Sequence, residues 1–255
     1  MKILVLGNGF VGKPLAEYLD ADTTTLRLNE LYQDDLYGYD VVINTAAKTN
    51  IDWCDQNRLE AFDTNVNQAV RLAELFPGQY VYFSSGCIFK SEDVSDIQYE
   101  DAIPNPQCFY TYTKLMAEQL LAQVDPEALI IRPRLLISEK PHPRNTLNKL
   151  LSYKGIITSQ ESATILEDLL PKVKELIEQK RTGAFHITNE GTMSPSEMMD
   201  VFKHKHDKIN KKELDFITVD AGKARRVSTI LGSRRTTYLP PLRTRIDEIF
   251  NNWPR

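Results

Sequence analysis

Cysteine is scarce in this chain. Its 255 residues hold only Cys54, Cys87 and Cys108, an odd number with no C-x-x-C pair. Neither a disulfide framework nor a zinc site fits that spacing, and a reducing compartment is the simpler setting. Histidine is equally thin. His142, His186, His204 and His206 show no metal-ligand pattern, and on a helix His204 and His206 point to different faces. No metal site is expected. No apolar run reaches membrane-spanning length, and Met1 passes directly into strand-like residues without a signal peptide. The expectation is a cytoplasmic protein with no membrane association. A basic excess is missing too. The net charge of −4 argues against nucleic-acid binding, which leans on phosphate neutralisation. There is no internal repeat and no low-complexity linker.

What is present reads as an α/β chain long enough to bury its own core. Short apolar runs stop at turn residues: Lys2 to Leu6, Asp40 to Asn44, Gln79 to Ser84 and Ala128 to Arg132 read as buried strands, and Thr23 to Leu28 is β-rich. Between them lie helical spacings over Phe10 to Leu19, Leu59 to Phe76 (ended by Pro77-Gly78) and Phe109 to Gln123. Strand–helix alternation predicts a Rossmann-type, doubly wound parallel sheet with right-handed crossovers. After Pro133 the rhythm changes. Ala163 to Lys180 has helical spacing, Phe185 to Thr188 is a strand, and Leu242 to Asn251 is a short last helix. Ser194-Pro195-Ser196-Glu197 carries a capping-box pattern with proline at the first helical position. These features predict an NAD(P)-binding domain over residues 1–133. Residues 134–255 would form a small C-terminal substrate lobe, with crossover elements returning to the main domain.

The first strand runs into Gly7-Asn8-Gly9-Phe10-Val11-Gly12, a G-x-G-x-x-G loop that opens a helix. The first glycine permits the turn, the second admits a pyrophosphate, and the third allows close helix–strand packing. Free N–H groups at the helix start then face the phosphates. Arg27 follows the second strand, where NAD-preferring sites usually carry an acid. It either accepts a 2′-phosphate or is a solvated surface arginine, which tilts the expected cofactor toward NADPH, with NADH as the alternative. Ala46, just past the strand Asp40 to Asn44, belongs to the same expected cofactor set.

Tyr110 and Lys114 form Y-x-x-x-K on a predicted helix, so their side chains share one face. A nearby ammonium would lower the phenol's pKa toward working pH. Ser85 lies where the strand Gln79 to Ser84 ends, the edge at which open α/β sheets place ligand-binding groups. Tyr112 lacks a lysine four residues on and is the weaker tyrosine. Cys87 lies two residues after Ser85, so both face one side if the chain stays extended. Taken alone, Cys87 is as readily a small buried packing residue. Cys54 and Cys108 read as structural. Met193, Met198 and Met199 read as core fillers.

In that order, glycine loop, strand-end serine and Y-x-x-x-K resemble the extended short-chain dehydrogenase/reductase family. Further stretches sharpen the likeness: Asn50-Ile51-Asp52-Trp53-Cys54-Asp55, Thr64-Asn65-Val66, Gly86-Cys87-Ile88-Phe89, Pro143-Arg144-Asn145 with Lys149, Leu169-Leu170-Pro171, and Phe185-His186-Ile187-Thr188-Asn189. Together they look like the bifunctional 3,5-epimerase/4-reductases of nucleotide-rhamnose synthesis, although the glycine loop departs from the G-x-x-G-x-x-G form usual there. The resemblance implies a UDP- or dTDP-linked 4-keto-6-deoxyhexose as substrate and NAD(P)H as reductant. Tyr110, Lys114 and Ser85 would serve the reduction, and Cys87 and Lys149 the epimerisation. Asn145, with Ser85 and Cys87, would hold the substrate. A homodimer is the assembly the resemblance suggests. Apart from the resemblance, Arg225-Arg226 and Arg234-Arg235 are basic pairs that read either as solvated faces or as a clamp for a diphosphate, which forked arginine donors suit, and Arg226 is the residue chosen for that contact. Two alternatives stand beside this: a 4-reductase without epimerase activity, and a non-catalytic cofactor-binding subunit.

Overall fold

A computed structural model describes residues 1–153, 155–206, 217–219 and 228–253. Its strands are β1 (Ile3–Leu6), β2 (Asp22–Thr23), β3 (Val41–Asn44), β4 (Gln79–Phe83), β5 (Leu129–Pro133), β6 (Leu136–Ile137), β7 (Gly155–Ile157), β8 (Thr164–Ile165), β9 (Gly183–Ile187) and β10 (Ile217–Val219). Its α-helices are α1 (Gly12–Leu19), α2 (Gln33–Leu36), α3 (Ile51–Gln56), α4 (Arg58–Phe62), α5 (Gln68–Leu75), α6 (Phe109–Val124), α7 (Thr146–Ser152), α8 (Leu166–Glu178), α9 (Pro195–His206) and α10 (Leu242–Asn251). The chain divides into two compact units. One comprises Met1–Phe89, Ile103–Arg132 and Leu170–Phe185; the other comprises Lys90–Ala102, Pro133–Leu169 and His186–Arg255.

The first unit is built on a six-stranded sheet of order β2-β1-β3-β4-β5-β9. The pairings from β2 through β5 are parallel, with Leu6 opposite Asn44 and Asn44 opposite Tyr82. A parallel sheet covered on both faces buries successive residues rather than alternate ones. Accordingly β1, β3 and β5 are buried along their whole length. From β1 the chain passes to β2 on one side and then to β3 on the other. The loops after β1 and β3 therefore flank the switch point, where doubly wound sheets open a ligand crevice. Leu6, Val42, Tyr80 and Tyr82 of the sheet pack with Leu72 of α5 and Leu121 of α6. Buried Arg132 on β5 pairs with buried Glu118 on α6 at 2.5 Å, and its guanidinium lies 5.3 Å from the Phe89 ring. Losing one member of such a buried pair costs about 3–5 kcal/mol, so the pair pins α6 to the sheet.

In the second unit, Ile137, Leu147, Ile165, Met198, Ile246 and Phe250 belong to one core, which also takes in Met193 and Met199. The capping box at the start of α9 is reciprocal. The Ser194 N–H donates to Glu197 Oε2 at 2.7 Å, and the Glu197 N–H donates to Ser194 Oγ at 3.1 Å. Arg245 of α10 forks onto Asp168 at 3.0 Å and also pairs with Glu139 and Glu248. Among the described residues no helix is long and apolar enough to cross a membrane.

Two elements differ from the sequence expectation. The β-rich stretch from Thr23 to Leu28 pairs only through Asp22–Thr23. Leu28–Glu30 instead forms a 3₁₀ turn, fastened by the Arg27 N–H donating to Glu30 Oε2 at 2.8 Å. The long helix expected over Leu59 to Phe76 is broken into α4 and α5 by a π turn at Asp63–Asn67. Its extra residue is accommodated because Asn65 finds partners outside the helix.

Candidate active site

The glycine loop carries steric demands that explain its composition. Gly7 has φ 99°, the left-handed region that disfavours side chains, and a Cβ there would lie 2.8 Å from the Ala46 backbone nitrogen. At Gly12 a Cβ would lie 1.7 Å from the Gly7 carbonyl oxygen, which no adjustment of a side chain could relieve. Thr45 Oγ1 donates toward the Leu6 and Gly7 carbonyls at 2.9 and 3.1 Å and ties the two loops together. The first turn of α1 has no capping side chain and no acid, so its positive dipole end suits an anion, although the Lys13 N–H goes to the Gly9 carbonyl at 3.1 Å and Pro14 has none. Asn8, Gly9, Phe10 and Val11 complete this loop, and Asn8 is its exposed member. Ala46 sits against it, its N–H donating to Asn44 Oδ1 at 3.0 Å. Arg27 is exposed, beyond the short β2, and no acid lies between Thr23 and Arg27.

The catalytic candidates of the first unit converge at the carboxyl edge of β4. Ser85 is buried, and its Oγ accepts the Cys87 N–H at 3.2 Å. It also lies close enough to the phenol of half-buried Tyr110 to lower its pKa by hydrogen bonding. Cys87 lies close enough to that phenol to raise its pKa, next in weight to burial. The chain does not stay extended between Ser85 and Cys87. A 3₁₀ turn at Gly86–Ile88 swings the thiol into place.

Lys114 behaves differently from the sequence expectation. It is 2 % exposed, and its Nζ donates to the Phe83 carbonyl at 2.7 Å and the Tyr82 hydroxyl at 3.1 Å, over the Tyr82 ring. Burial, opposed by Glu118, pushes the ammonium down to about 7. Tyr110 is not drawn toward neutrality. Burial raises it, Cys87 adds to the rise, and the Ser85 bond opposes it. The expected depression of Tyr110 is thus corrected: Lys114 spends its donors on β4, so desolvation governs the phenol.

One contributor escaped the sequence reading. Asn65, buried on the π turn, accepts the Lys48 N–H at 2.8 Å through its side-chain oxygen. Its amide donates to the Lys48 carbonyl and to Thr113 Oγ1, both at 3.0 Å. Its backbone carbonyl accepts the Tyr82 hydroxyl at 3.2 Å. A relay of bonds thus runs from Lys114 through Tyr82 to Asn65. π turns release carbonyls from the helical ladder and recur at functional sites. The break in the predicted helix is what makes that carbonyl available, and no local sequence signal marks it.

In the second unit, Asn145 is fully buried and saturated. Its Oδ1 accepts the Leu147 and Ser138 N–H groups, and its Nδ2 donates to the Ser138 and Lys140 carbonyls at 2.8 and 3.0 Å. A saturated amide has nothing left for a substrate. Asn145 caps α7 instead, on whose last turn Lys149 is exposed. Arg226 lies outside the described residues. His186 is buried with Nδ1 2.9 Å from the Gly232 carbonyl, and His142 Nδ1 accepts the Arg144 N–H. Among the described residues no cluster of three or more histidine, cysteine or acidic side chains could hold a metal ion. Tyr112 is exposed and stacks on Phe109.

Known proteins resemble this chain in sequence and in fold. The family model of the RmlD substrate binding domain matches residues 1–226. A bifunctional dTDP-4-dehydrorhamnose 3,5-epimerase/dTDP-4-dehydrorhamnose reductase of Arabidopsis thaliana is 31% identical over 175 residues, covering 64% of this chain and 58% of that protein. The chain therefore spans under two thirds of that relative's length. Among solved structures, the L780 UDP-rhamnose synthase of Acanthamoeba polyphaga mimivirus superposes with a TM-score of 0.86 at 22% identity, covering 99% of both chains. The dTDP-4-dehydrorhamnose reductase of Bacillus anthracis, in complex with NADP, gives 0.83 at 18% identity, covering 99% of this chain and 99% of its own. On the strength of the family match across most of its length, the chain belongs to the RmlD substrate-binding-domain family of the extended short-chain dehydrogenase/reductases.

Proposed function

We propose that this chain is an NAD(P)H-dependent 4-keto-reductase of nucleotide-linked 4-keto-6-deoxyhexoses in rhamnose synthesis, with UDP- or dTDP-linked sugar as substrate. We further propose that the same site performs the preceding 3,5-epimerisation. The observation that carries the reading is the meeting of Ser85, Tyr110 and Cys87 at the carboxyl edge of β4. The Arabidopsis relative's name joins both activities, and the Bacillus anthracis structure holds NADP.

The residues present fit a dinucleotide. Gly7 and Gly12 make the tight loop possible, since a Cβ at either would collide with the backbone beside it, the start of α1 carries neither a capping side chain nor an acid, and Ala46 borders the loop. Arg27 would take a 2′-phosphate, and with no acid between Thr23 and Arg27 the end of β2 favours NADPH over NADH. When bound, the cofactor supplies the hydride for C4. Tyr110 then donates its proton to the developing alkoxide at O4. Its raised pKa suits this direction, because the phenol stays protonated through neutral pH. Ser85 holds the carbonyl oxygen through its hydroxyl. Lys114, with two of its three donors on Phe83 and Tyr82, would turn the third to ribose hydroxyls and orient the cofactor.

For epimerisation, one group removes the proton beside the keto carbon and another returns a proton to the opposite face. Cys87 and Lys149 take these two roles, with Asn145 positioning α7 and hence Lys149. Arg226 completes the diphosphate contacts in this proposal.

Incubating the protein with UDP- and dTDP-4-keto-6-deoxyglucose and NADPH, with the product read by NMR, tests both steps. The expected product is the L-rhamnose nucleotide. In deuterated buffer without NADPH, deuterium should enter C3 and C5, and Cys87→Ser should stop it. Reduction of a pre-epimerised substrate without that exchange would leave a reductase alone. No turnover of either sugar would favour a cofactor-binding subunit.

A further inference from the structure

All three cysteines, far apart in sequence, come within electrostatic range of one phenol. Cys54, Cys87 and Cys108 each act electrostatically on Tyr110. Cys87 already has a place in the proposed chemistry; Cys54 and Cys108 have none. Cys54 sits on α3, fully buried, its thiol donating to the Lys48 carbonyl at 3.4 Å. Cys108 is the N-cap of α6 and half-buried, its sulfur 3.5 Å from Thr111 Oγ1. The residues that follow them are bonded to each other, the Phe109 N–H donating to Asp55 Oδ1 at 3.4 Å. That bond brings the end of α3 against the start of α6, with one thiol on each. The two thiols also sense each other: after burial, Cys108 is the largest influence raising Cys54.

We propose that Cys54 and Cys108 are a redox modification site at which hydrogen peroxide closes a disulfide between α3 and α6. Cys108, the accessible member, attacks the peroxide oxygen as thiolate, giving a sulfenic acid and one water. The Cys54 sulfur then attacks that sulfenic sulfur and displaces the second water. The two thiols together lose two electrons and two protons, and the peroxide is reduced to two waters. Because burial holds Cys54 as the thiol, closing is slower than the first oxidation and accelerates as pH rises. The bond fixes the helix start from which Tyr110 projects. A displacement of that phenol by an ångström is enough to cost orders of magnitude in turnover.

Treating the full chain with hydrogen peroxide, then counting thiols and mapping peptides under non-reducing conditions, decides the matter. The wild type should lose two thiols and two hydrogens of mass, and yield a linked peptide holding Cys54 and Cys108, faster at high than at neutral pH. Dithiothreitol should reverse it. Cys54→Ser and Cys108→Ser, both conservative, should each abolish the link. A link through Cys87, or cysteine acids without any link, overturns the proposal. The consequence for activity rests on the proposed function: oxidised wild type should lose reductase turnover at least about tenfold and recover it with dithiothreitol, while both serine variants resist. Absent turnover before oxidation would count against the proposed function and leave the peptide result to judge the disulfide.

Discussion

Lys114 offers a direct quantitative test of the site. Its amine is buried, and its pKa falls from 10.5 to about 7. The folded state therefore binds the proton less tightly than the unfolded chain. The sign follows: the group's contribution is most favourable above pH 10.5, declines as pH falls, and levels off below about 7. At about 1.36 kcal/mol for each unit, the wild type should gain about 2 kcal/mol of stability from this group between pH 7 and pH 9. Lys114→Met keeps the length of the side chain and removes the titration. Urea unfolding of both proteins, without cofactor, at several pH values in that range gives the difference free of other titrating groups. The wild type's stability should climb relative to the variant's by that amount. Parallel curves would refute the account of a desolvated amine beneath the β4 edge. If Lys114 reaches the ribose as proposed, bound NADPH would favour the ammonium, so the relative slope should flatten and cofactor binding at pH 8 should take up a proton. Calorimetry in buffers of different ionisation enthalpy reads that uptake.

Other outcomes follow from the same geometry. Tyr110→Phe should lower reductase kcat by about 10²–10⁴-fold while leaving NADPH affinity within about twofold, measured by fluorescence titration. Arg27→Ala should weaken NADPH several-fold and leave NADH unchanged; equal losses for both would remove Arg27 from 2′-phosphate recognition. Gly12→Ala places a methyl group 1.7 Å from the Gly7 oxygen, so it should either abolish cofactor binding or lower Tm by several degrees. Native-like Tm together with native NADPH affinity would contradict the packing described.

Sequence reading succeeded where chemistry is local. The G-x-G-x-x-G loop is legible because turn and helix packing act within one short stretch, and the buried strands are legible because a covered parallel sheet needs unbroken apolar runs. The spacing of Tyr110 and Lys114 placed both on one face of α6, as a helical period must. What the two side chains do there was not legible, because their partners come from elsewhere. Lys114 spends its donors on Phe83 and Tyr82 of β4, and the phenol's pKa is set by desolvation rather than by that ammonium. Asn145 shows the same limit. Its place in a Pro-Arg-Asn motif suggested substrate contact, but four backbone groups of its own loop and helix use up its amide.

The π turn at Asp63–Asn67 is where local propensity and function part company. Residues Leu59 to Phe76 have continuous helical periodicity, and an unbroken α-helix would satisfy every interior backbone group without help. The extra residue in the turn is tolerated because Asn65 bonds Lys48 and Thr113 through its side chain and Tyr82 through its carbonyl. Tyr82 in turn accepts from Lys114, so the irregularity in one helix and the buried amine of another stabilise each other across β4. A regular helix here would strand the Tyr82 hydroxyl in the core, at a cost of about 1–3 kcal/mol for an unmet donor. The irregular backbone is therefore bound up with the same network that holds Lys114. Site geometry of this kind is encoded in side chains far apart in the chain, and it becomes readable only once the sheet has brought them together.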